Sequence, residues 1–463
     1  MTVQTAIYEA QIVLKRAQDI DSKYPNVPGK SLWASCVDYF DGIVFTLSMV
    51  LDHTHQPSPL DVQTWLSAGL ANINLCEKGF ELINITNTLL PKISTNLTAL
   101  ILNSLAISIV IKGGHDSDTH TQKFNFNDEF NVSNLAEERP DIVVAKDGSG
   151  DYKTIQEAVD NRGKGTRRRR FVIYVKAGVY KENIVIPKNA WYMTMFGDGM
   201  NKTIITSDRH AGGDMLNTPK AGDLKESATF QVWGGGFIAR DMTFSNTAGP
   251  EGGQALAVLS GSDQSAFYHC SIEGYQDTLL THHSKQFYKE CQIYGTIDFI
   301  FGDALAVFQD CEIFLRKPLP GGGLVVTAHG RKYNNESSGY SLQGCKITAA
   351  DDLKPVIDQY KKAYLGRPWF PYGRTVFMQS FLDDLVDPKG WLDSWGYNET
   401  CYYGEYKNDG PGSRTDQRVK WRGYHTMTNP KKAECFTVAK FMSGNKWLPA
   451  TGVPFTSGFE NLQ

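Results

Sequence analysis

The feature that most restricts the fold of this chain is a repeat in its second half. Phe267-Tyr268-His269-Cys270-Ser271-Ile272 is echoed by Phe287-Tyr288-Lys289-Glu290-Cys291-Gln292-Ile293, by Phe308-Gln309-Asp310-Cys311-Glu312-Ile313 and by Leu342-Gln343-Gly344-Cys345-Lys346-Ile347. The cysteines are 21, 20 and 34 residues apart. A period near 20 with strand-like content and no helical segment fits one coil of a parallel β-helix, the longer gap being a coil plus an insertion. A leucine-rich repeat has a similar period, but its leucine pattern is missing. Residues one coil apart stack at the strand spacing of about 4.8 Å. That places Cys270 and Cys291 within the Cα separation of about 4.4 to 6.8 Å that a disulfide requires. Cys311 and Cys345 continue the column and are candidates too.

Ahead of Pro140 the grammar is helical. A polar, helix-like segment follows Met1. Leu32, Trp33, Cys36, Val37, Phe40, Val44, Leu47 and Leu51 then recur at three and four after Ser31, a candidate cap. Ser58 as N-cap, Pro59 at the first helical position and Asp61 three residues on open a cleaner helix through Val62, Trp65, Leu66, Leu70 and Ile73. The apolar stretch Leu97 to Ile111 completes an antiparallel four-helix bundle over 1–115. Cys36 and Cys76 sit on two of its helices, either as a staple or as two buried thiols. Residues 116–140 lack a period and read as a linker, and 141–463 form the all-β unit.

With 47 basic and 50 acidic residues, the net charge of −3 provides no global field for nucleic acid or anionic lipid. Leu97 to Ile111 is short of the roughly 20 residues needed to span a bilayer. Eight cysteines without CxxC pairs point to disulfides rather than zinc. Sequons at Asn84, Asn96, Asn131, Asn201, Asn335 and Asn398 agree with a secretory route, although no signal peptide precedes the first helix.

The repeat also aligns two acids. Asp277 and Asp298 are 21 apart, the same step that relates Cys270 to Cys291, so they stack on neighbouring coils. Two carboxylates that close cannot both ionise freely and can divide into an acid and a nucleophile or base. A structural or calcium-binding pair is the alternative. Gln276 beside Asp277, and Gln254 about one coil back, would offer neutral N–H donors to an oxyanion. Phe299, Ile300 and Phe301 suggest a dry wall, Arg367 can hold one carboxylate ionised, and Trp369 offers a ring to a sugar face.

Six segments together resemble plant pectin methylesterases, in order and at family-like spacing. They are Asp147-Gly148-Ser149-Gly150-Asp151-Tyr152, Gly253-Gln254-Ala255-Leu256-Ala257, Gly274-Tyr275-Gln276-Asp277-Thr278-Leu279, Gly295-Thr296-Ile297-Asp298-Phe299-Ile300-Phe301-Gly302, Leu365-Gly366-Arg367-Pro368-Trp369 and Tyr402-Tyr403-Gly404-Glu405-Tyr406. The resemblance implies a right-handed parallel β-helix hydrolase of pectin methyl esters that needs no metal or other cofactor. It implies Asp298 as nucleophile, Asp277 as general acid and then base, Gln254 and Gln276 as oxyanion donors, and Arg367 orienting Asp298. Gln254, Arg367, Trp369 and Phe299 are the implied substrate contacts. Trp65-Leu66-Ser67-Ala68-Gly69-Leu70 and Asn103-Ser104-Leu105-Ala106 resemble the inhibitor domain that precedes many plant members, in which Cys36 with Cys76 would match an inter-helix disulfide. The implied partners are pectin and either this domain or separate inhibitor proteins, in the extracellular wall.

The pattern breaks in places. The inhibitor family's first cysteine pair is missing, which reads as a shortened amino terminus. Leu135-Ala136-Glu137-Glu138-Arg139 replaces the usual basic processing motif in the linker. Leu224-Lys225 replaces a Thr-Phe pair, removing a threonine expected to touch substrate, and His329 replaces a glutamine. A surface or core histidine is the preferred reading there. Arg167 to Arg170 read as a solvated loop, with polyanion binding as the alternative, and Cys401 with Cys435 is a weak pairing. A non-catalytic pectin-binding protein and a polysaccharide lyase are rival functions. The lyase would need an acidic calcium cluster and a basic catalytic residue. The full set of Asp277, Asp298, Gln254, Gln276 and Arg367 favours the esterase.

Overall fold

The computed structural model describes residues 2–23, 30–52, 57–82, 89–113, 139–162, 170–211, 223–360 and 362–459. All but the last two residues of the expected linker lie outside these. Helices α1 (Thr2–Lys23), α2 (Lys30–Val50), α3 (Pro59–Leu82) and α4 (Leu89–Gly113) form the first unit. Helix α1 packs on α2 and α4, and α3 packs on the same two, which closes a four-helix bundle. Its core takes Phe40, Leu47, Leu66, Leu70, Ile73 and Leu97 from the apolar stripes read from sequence and adds Ile43, Ile101 and Leu105, while Val37, Val44, Leu51 and Val62 are only partly buried against it. The start of α3 is a reciprocal cap: Asp61 N–H donates to Ser58 Oγ (3.3 Å) and Ser58 N–H donates to Asp61 Oδ2 (2.9 Å). Ser31 is not a cap, because α2 begins one residue earlier at Lys30. The Cys36–Cys76 disulfide joins α2 to α3 with Cα atoms 5.1 Å apart.

From Ile142 on, every strand pairing is parallel. One sheet carries, in spatial order, Ile184–Ile186, Phe230–Val232, Val258–Ser260, Leu279–Thr281, Ile297–Gly302, Val325–His329 and Tyr364–Pro368. The remaining strands join into a second sheet that bends round the coil. Ser265–Glu273, for example, pairs through its first half with Lys285–Lys289 and through its second half with Gln292–Gly295. The bend falls on a residue with positive φ just before each repeat cysteine: His269 (52°), Glu290 (52°), Asp310 (54°) and Gly344 (66°). Side chains inside the coils stack in ladders. The rings of Phe267, Tyr288 and Phe308 lie 5.1 and 4.7 Å apart and nearly parallel, and Ile272, Ile293, Ile313 and Ile347 form a buried column. The repeat is therefore the sequence of a parallel β-helix core.

The cysteine column corrects an expectation. Cys270, Cys291, Cys311 and Cys345 are buried free thiols, and so is Cys401, while Cys435 is free and exposed. Stacked residues on parallel strands project their Cβ atoms side by side, so they keep roughly the strand spacing rather than the ~3.8 Å a disulfide needs. The thiols are used otherwise. Cys291, Cys311 and Cys345 each donate to a carbonyl of the preceding coil, those of Phe267 (3.3 Å), Tyr288 (3.4 Å) and Phe308 (3.4 Å).

Among the described residues the bundle sits against the β-helix through four ion pairs, Lys188–Asp41 (2.6 Å), Lys225–Asp38, Lys285–Asp61 and Lys332–Glu77 (3.0 Å). In every one the cation belongs to the β-helix and the acid to α2 or α3. Trp65 Nε1 donates to Asp263 (2.9 Å), His282 Nε2 lies 3.0 Å from Asn72 Oδ1, and Ser337 N–H donates to Ser67 Oγ (3.1 Å). No described helix is long and apolar enough to cross a membrane.

Candidate active site

The seven-stranded sheet presents Gln254, Gln276, Asp277, Asp298 and Arg367 to one cleft of about 320 Å3. Four coils supply them: those of Gln254, of Gln276 with Asp277, and of Asp298 are consecutive, and Arg367 comes from the second strand beyond, past Val325–His329. Gln254 and Gln276 are bridged in parallel register, Ala255 N–H donates to Gln276 O (3.2 Å), and Asp277 N–H donates to Ile297 O (3.2 Å). Leu279 pairs with Ile300 and Leu280 with Phe301, so the 21-residue step holds through Asp277 and Asp298. Both aspartates take the left-handed conformation, with φ of 62° and 54°. That conformation is costly for a residue with a Cβ and is sustained by the stacked strands on either side.

The two acids have different company. Asp298 receives a side-on guanidinium: Arg367 Nε donates to Oδ1 (2.8 Å) and Nη2 to Oδ2. Burial raises the Asp298 pKa, while the Arg367 hydrogen bonds and charge oppose that rise. Asp277 is deeper. Its Oδ2 accepts from Gln254 Nε2 (2.7 Å), and burial followed by the charge of Asp298 pushes its pKa well above the usual carboxylate range. The pair thus favours a protonated Asp277 beside an ionised Asp298.

The comparisons with known proteins fit this geometry. Residues 141–445 match the Pectinesterase family and residues 1–107 match the plant invertase/pectin methylesterase inhibitor family. The chain belongs to the pectinesterase family. Pectinesterase 2 of Citrus sinensis is 44% identical over 99% of this chain and 88% of its own length. The probable pectinesterase/pectinesterase inhibitor 17 of Arabidopsis thaliana is 43% identical over 93% of this chain and 82% of its own. Among solved structures, the pectin methylesterase from carrot superposes with a TM-score of 0.66 at 44% identity, covering 69% of this chain and 98% of the carrot chain. The Aspergillus niger enzyme gives 0.57 at 31%, covering 67% and 96%. This pectinesterase is accordingly a pectin methylesterase with an inhibitor-type bundle in front.

Trp369 lines the cleft, its ring edge-on to Phe301 at 5.7 Å. Phe299, expected among the substrate contacts, does not line the cleft. It is fully buried among the coil's inner side chains, and Phe301 takes the cleft wall instead. A register irregularity between Ile297 and Ile300 breaks the in–out alternation and turns Phe299 inward. Gly295 makes that possible, since a Cβ there would meet Phe299 Cβ at 2.1 Å. Leu224 lines the cleft, and its neighbour Lys225 is spent on Asp38.

His329 is a core residue, as preferred from sequence. Its Nδ1 accepts from the N–H groups of Arg331 and Arg374 (both 3.3 Å), Nε2 faces Ala304 O (3.3 Å), and burial drives its pKa well below the usual value. Of the four-arginine run only Arg170 is described, and it donates to Gly236 O and lies over the Tyr192 ring at 5.8 Å. Among the described residues no group of His, Cys, Asp and Glu has the clustering of a metal site.

Sequence reading missed the second wall of the cleft. Leu32, Tyr39, Leu75, Lys78 and the Cys36–Cys76 disulfide come from the bundle and line the same cleft as Asp277 and Asp298. It also missed Ser394 and Trp395, which touch Arg367. The Trp391-Leu392 coil that carries them follows Arg367 in the stack, and that adjacency was the available signal.

Proposed function

We propose that Asp298 is the nucleophile of this pectin methylesterase and Asp277 its general acid and base. An Asp298 oxygen attacks the C6 carbonyl of a methyl-esterified galacturonate, and the amides of Gln254 and Gln276 receive the oxyanion. As the intermediate collapses, the C6–methoxyl bond breaks and the Asp277 proton passes to the departing oxygen, giving methanol and an acyl-enzyme on Asp298. Water, deprotonated by Asp277, then attacks the acyl carbon. Asp298 leaves as carboxylate, Asp277 is protonated again, and the polymer keeps a free carboxylate. Arg367 fixes the plane of Asp298 and favours its charge, and the Trp369 ring offers a face to the sugar. The observation that supports these roles is the unequal treatment of two stacked carboxylates, a guanidinium on Asp298 and a desolvated amide contact on Asp277.

The same proposal assigns 1–115 as an inhibitor unit acting in cis, 116–140 as the linker and 141–463 as the esterase. Its support is the placement of Tyr39, Leu75 and the Cys36–Cys76 disulfide in the wall opposite the acids. Disulfide chemistry in the bundle, together with the sequons, supports secretion to the cell wall. The carrot chain aligns over 98% of its own length with only 69% of this chain, which supports 141–463 as a unit that can be studied alone. The test is methanol release from highly methylated pectin by 141–463, by the full chain and by an Asp298→Ala variant. Release that Asp298→Ala abolishes and the bundle slows is expected. Activity surviving Asp298→Ala would overturn the catalytic roles, and equal rates with and without the bundle would overturn inhibition in cis.

A further inference from the structure

Arg367 is held from more than one side. Its Nε and Nη2 serve Asp298, while Nη1 donates to Ser394 Oγ at 3.1 Å, and the Trp395 ring centroid lies 4.6 Å from the guanidinium carbon. These two residues lie on the coil that follows the arginine. Leu365 N–H donates to Gly390 O (2.8 Å) and Leu392 N–H donates to Gly366 O (3.0 Å), so Gly390–Leu392 stacks directly on the strand that carries Arg367. The bend after Leu392 is set by Asp393, whose Oδ1 accepts from the N–H groups of Trp395 (3.2 Å), Gly396 (2.7 Å) and Tyr397 (3.3 Å). Gly396, at φ 78°, supplies the left-handed residue that this turn requires. Below it, Trp391 is buried and donates through Nε1 to Glu405 (3.2 Å). The loop that presents Ser394 and Trp395 is thereby fixed to the scaffold.

We propose that Ser394 is a positioning residue for the esterase reaction, locking the Arg367 guanidinium side-on against Asp298 with Trp395 as its backing ring. A guanidinium can meet a carboxylate side-on, through Nε and one Nη, or end-on, through both Nη groups. Engaging Nη1 elsewhere excludes the end-on arrangement and stops rotation of the plane. The nucleophilic oxygen then keeps one direction of attack, and the full charge of the arginine stays against it through the step in which Asp298 loses its own charge. The inference rests on Asp298 being the nucleophile.

The experiment compares Ser394→Ala, Ser394→Thr and Asp298→Asn in the full chain and in residues 141–463, following kcat, KM, the pH profile and Tm. Ser394→Ala is expected to lower kcat about tenfold, the scale of one lost hydrogen bond to a charged group. KM and Tm should stay near the parent's, and the acid limb should move up by about half a unit as Asp298 loses part of its guanidinium support. Ser394→Thr, which keeps the hydroxyl, is expected to restore both. Parental kcat and acid limb in Ser394→Ala, with Asp298→Asn inactive, would overturn the positioning role. So would a loss of kcat that comes with a lower Tm and no movement of the limb. Activity retained by Asp298→Asn would instead overturn the nucleophile assignment.

Discussion

Asp277 and Asp298 occupy the same left-handed corner on successive coils, yet one receives an uncharged amide from Gln254 and the other a guanidinium from Arg367. The backbone treats them as equivalent, and the difference is made by side chains from a coil on either flank. Exchanging those flanks should exchange or abolish the roles.

Arg367→Gln should show this most directly. The guanidinium opposes the rise that burial imposes on Asp298, so removing it lets the Asp298 pKa climb further. An opposite charge at this range is worth roughly one to three pKa units. The acid limb of kcat/KM for residues 141–463 is expected to move to higher pH by that order, with kcat falling about a hundredfold or more. An unmoved limb would remove Arg367 from the charge balance of Asp298.

The polarity of the interface makes a second expectation. The four ion pairs described between the units each set a β-helix lysine against a bundle acid, and Lys225–Asp38 borders the cleft itself. Asp38 is more than half exposed, so its pair with Lys225 should be worth only about 1 kcal/mol. Asp38→Ala should speed methanol release by the full chain about fivefold and leave 141–463 as the ceiling. Raising salt from 0.05 to about 0.5 M should accelerate the full chain more than the isolated esterase.

Cys36→Ala tests the staple. A disulfide closing a loop of 40 residues should contribute about 2 to 4 kcal/mol to the bundle. Denaturant unfolding of the full chain is then expected to show an earlier bundle transition and an unshifted β-helix transition. Any cis inhibition should fall with the first of these.

A buried acid pair sets the pH dependence of stability. Asp303 and Glu336 are buried together beneath the loop that meets α3 and α4, Asp303 accepting from Ser338 Oγ and Glu336 from Lys332 N–H (3.2 Å). Burial comes first and the charge of Asp303 second in holding Glu336 well above its usual value, while burial raises Asp303 against the pull of Ser338, Glu336, Arg331 and Arg374. The folded chain thus keeps a proton that the unfolded chain has given up. The associated stabilisation is full below the ordinary carboxylate range, near pH 4, and is lost as pH rises through the elevated folded values. In Asp303→Asn the urea midpoint should fall less between pH 5 and 8 than in the parent. Equal falls would show that the pair does not titrate in this window.

Much of the fold was legible because a stacked coil writes its period into the chain. The 21-residue step common to the cysteines and the aspartates is the register seen between Leu279 and Ile300. Gln254 reaches Asp277 from about one coil back, Gln276 stands beside it in sequence, and Arg367 arrives from two coils beyond Asp298. Phe299 escaped because a single irregular register between Ile297 and Ile300 inverts which ring faces out, and nothing in Phe-Ile-Phe reveals that. The thiol column escaped for a different reason: spacing fixes how far apart two Cα atoms are and leaves out where their Cβ atoms point. The docking of the bundle depends on complementarity between residues more than 140 apart, such as Lys188 with Asp41 and Lys285 with Asp61, and no local pattern encodes it.

Because one chain supplies both walls of the cleft, the covering helices are present at an effective concentration set by the tether rather than by expression. For a tether of this length that is on the order of millimolar. A separate inhibitor, or a polymer chain seeking the same cleft, must outcompete that local concentration, and a single cut in the tether would turn the cover into an ordinary diluting ligand.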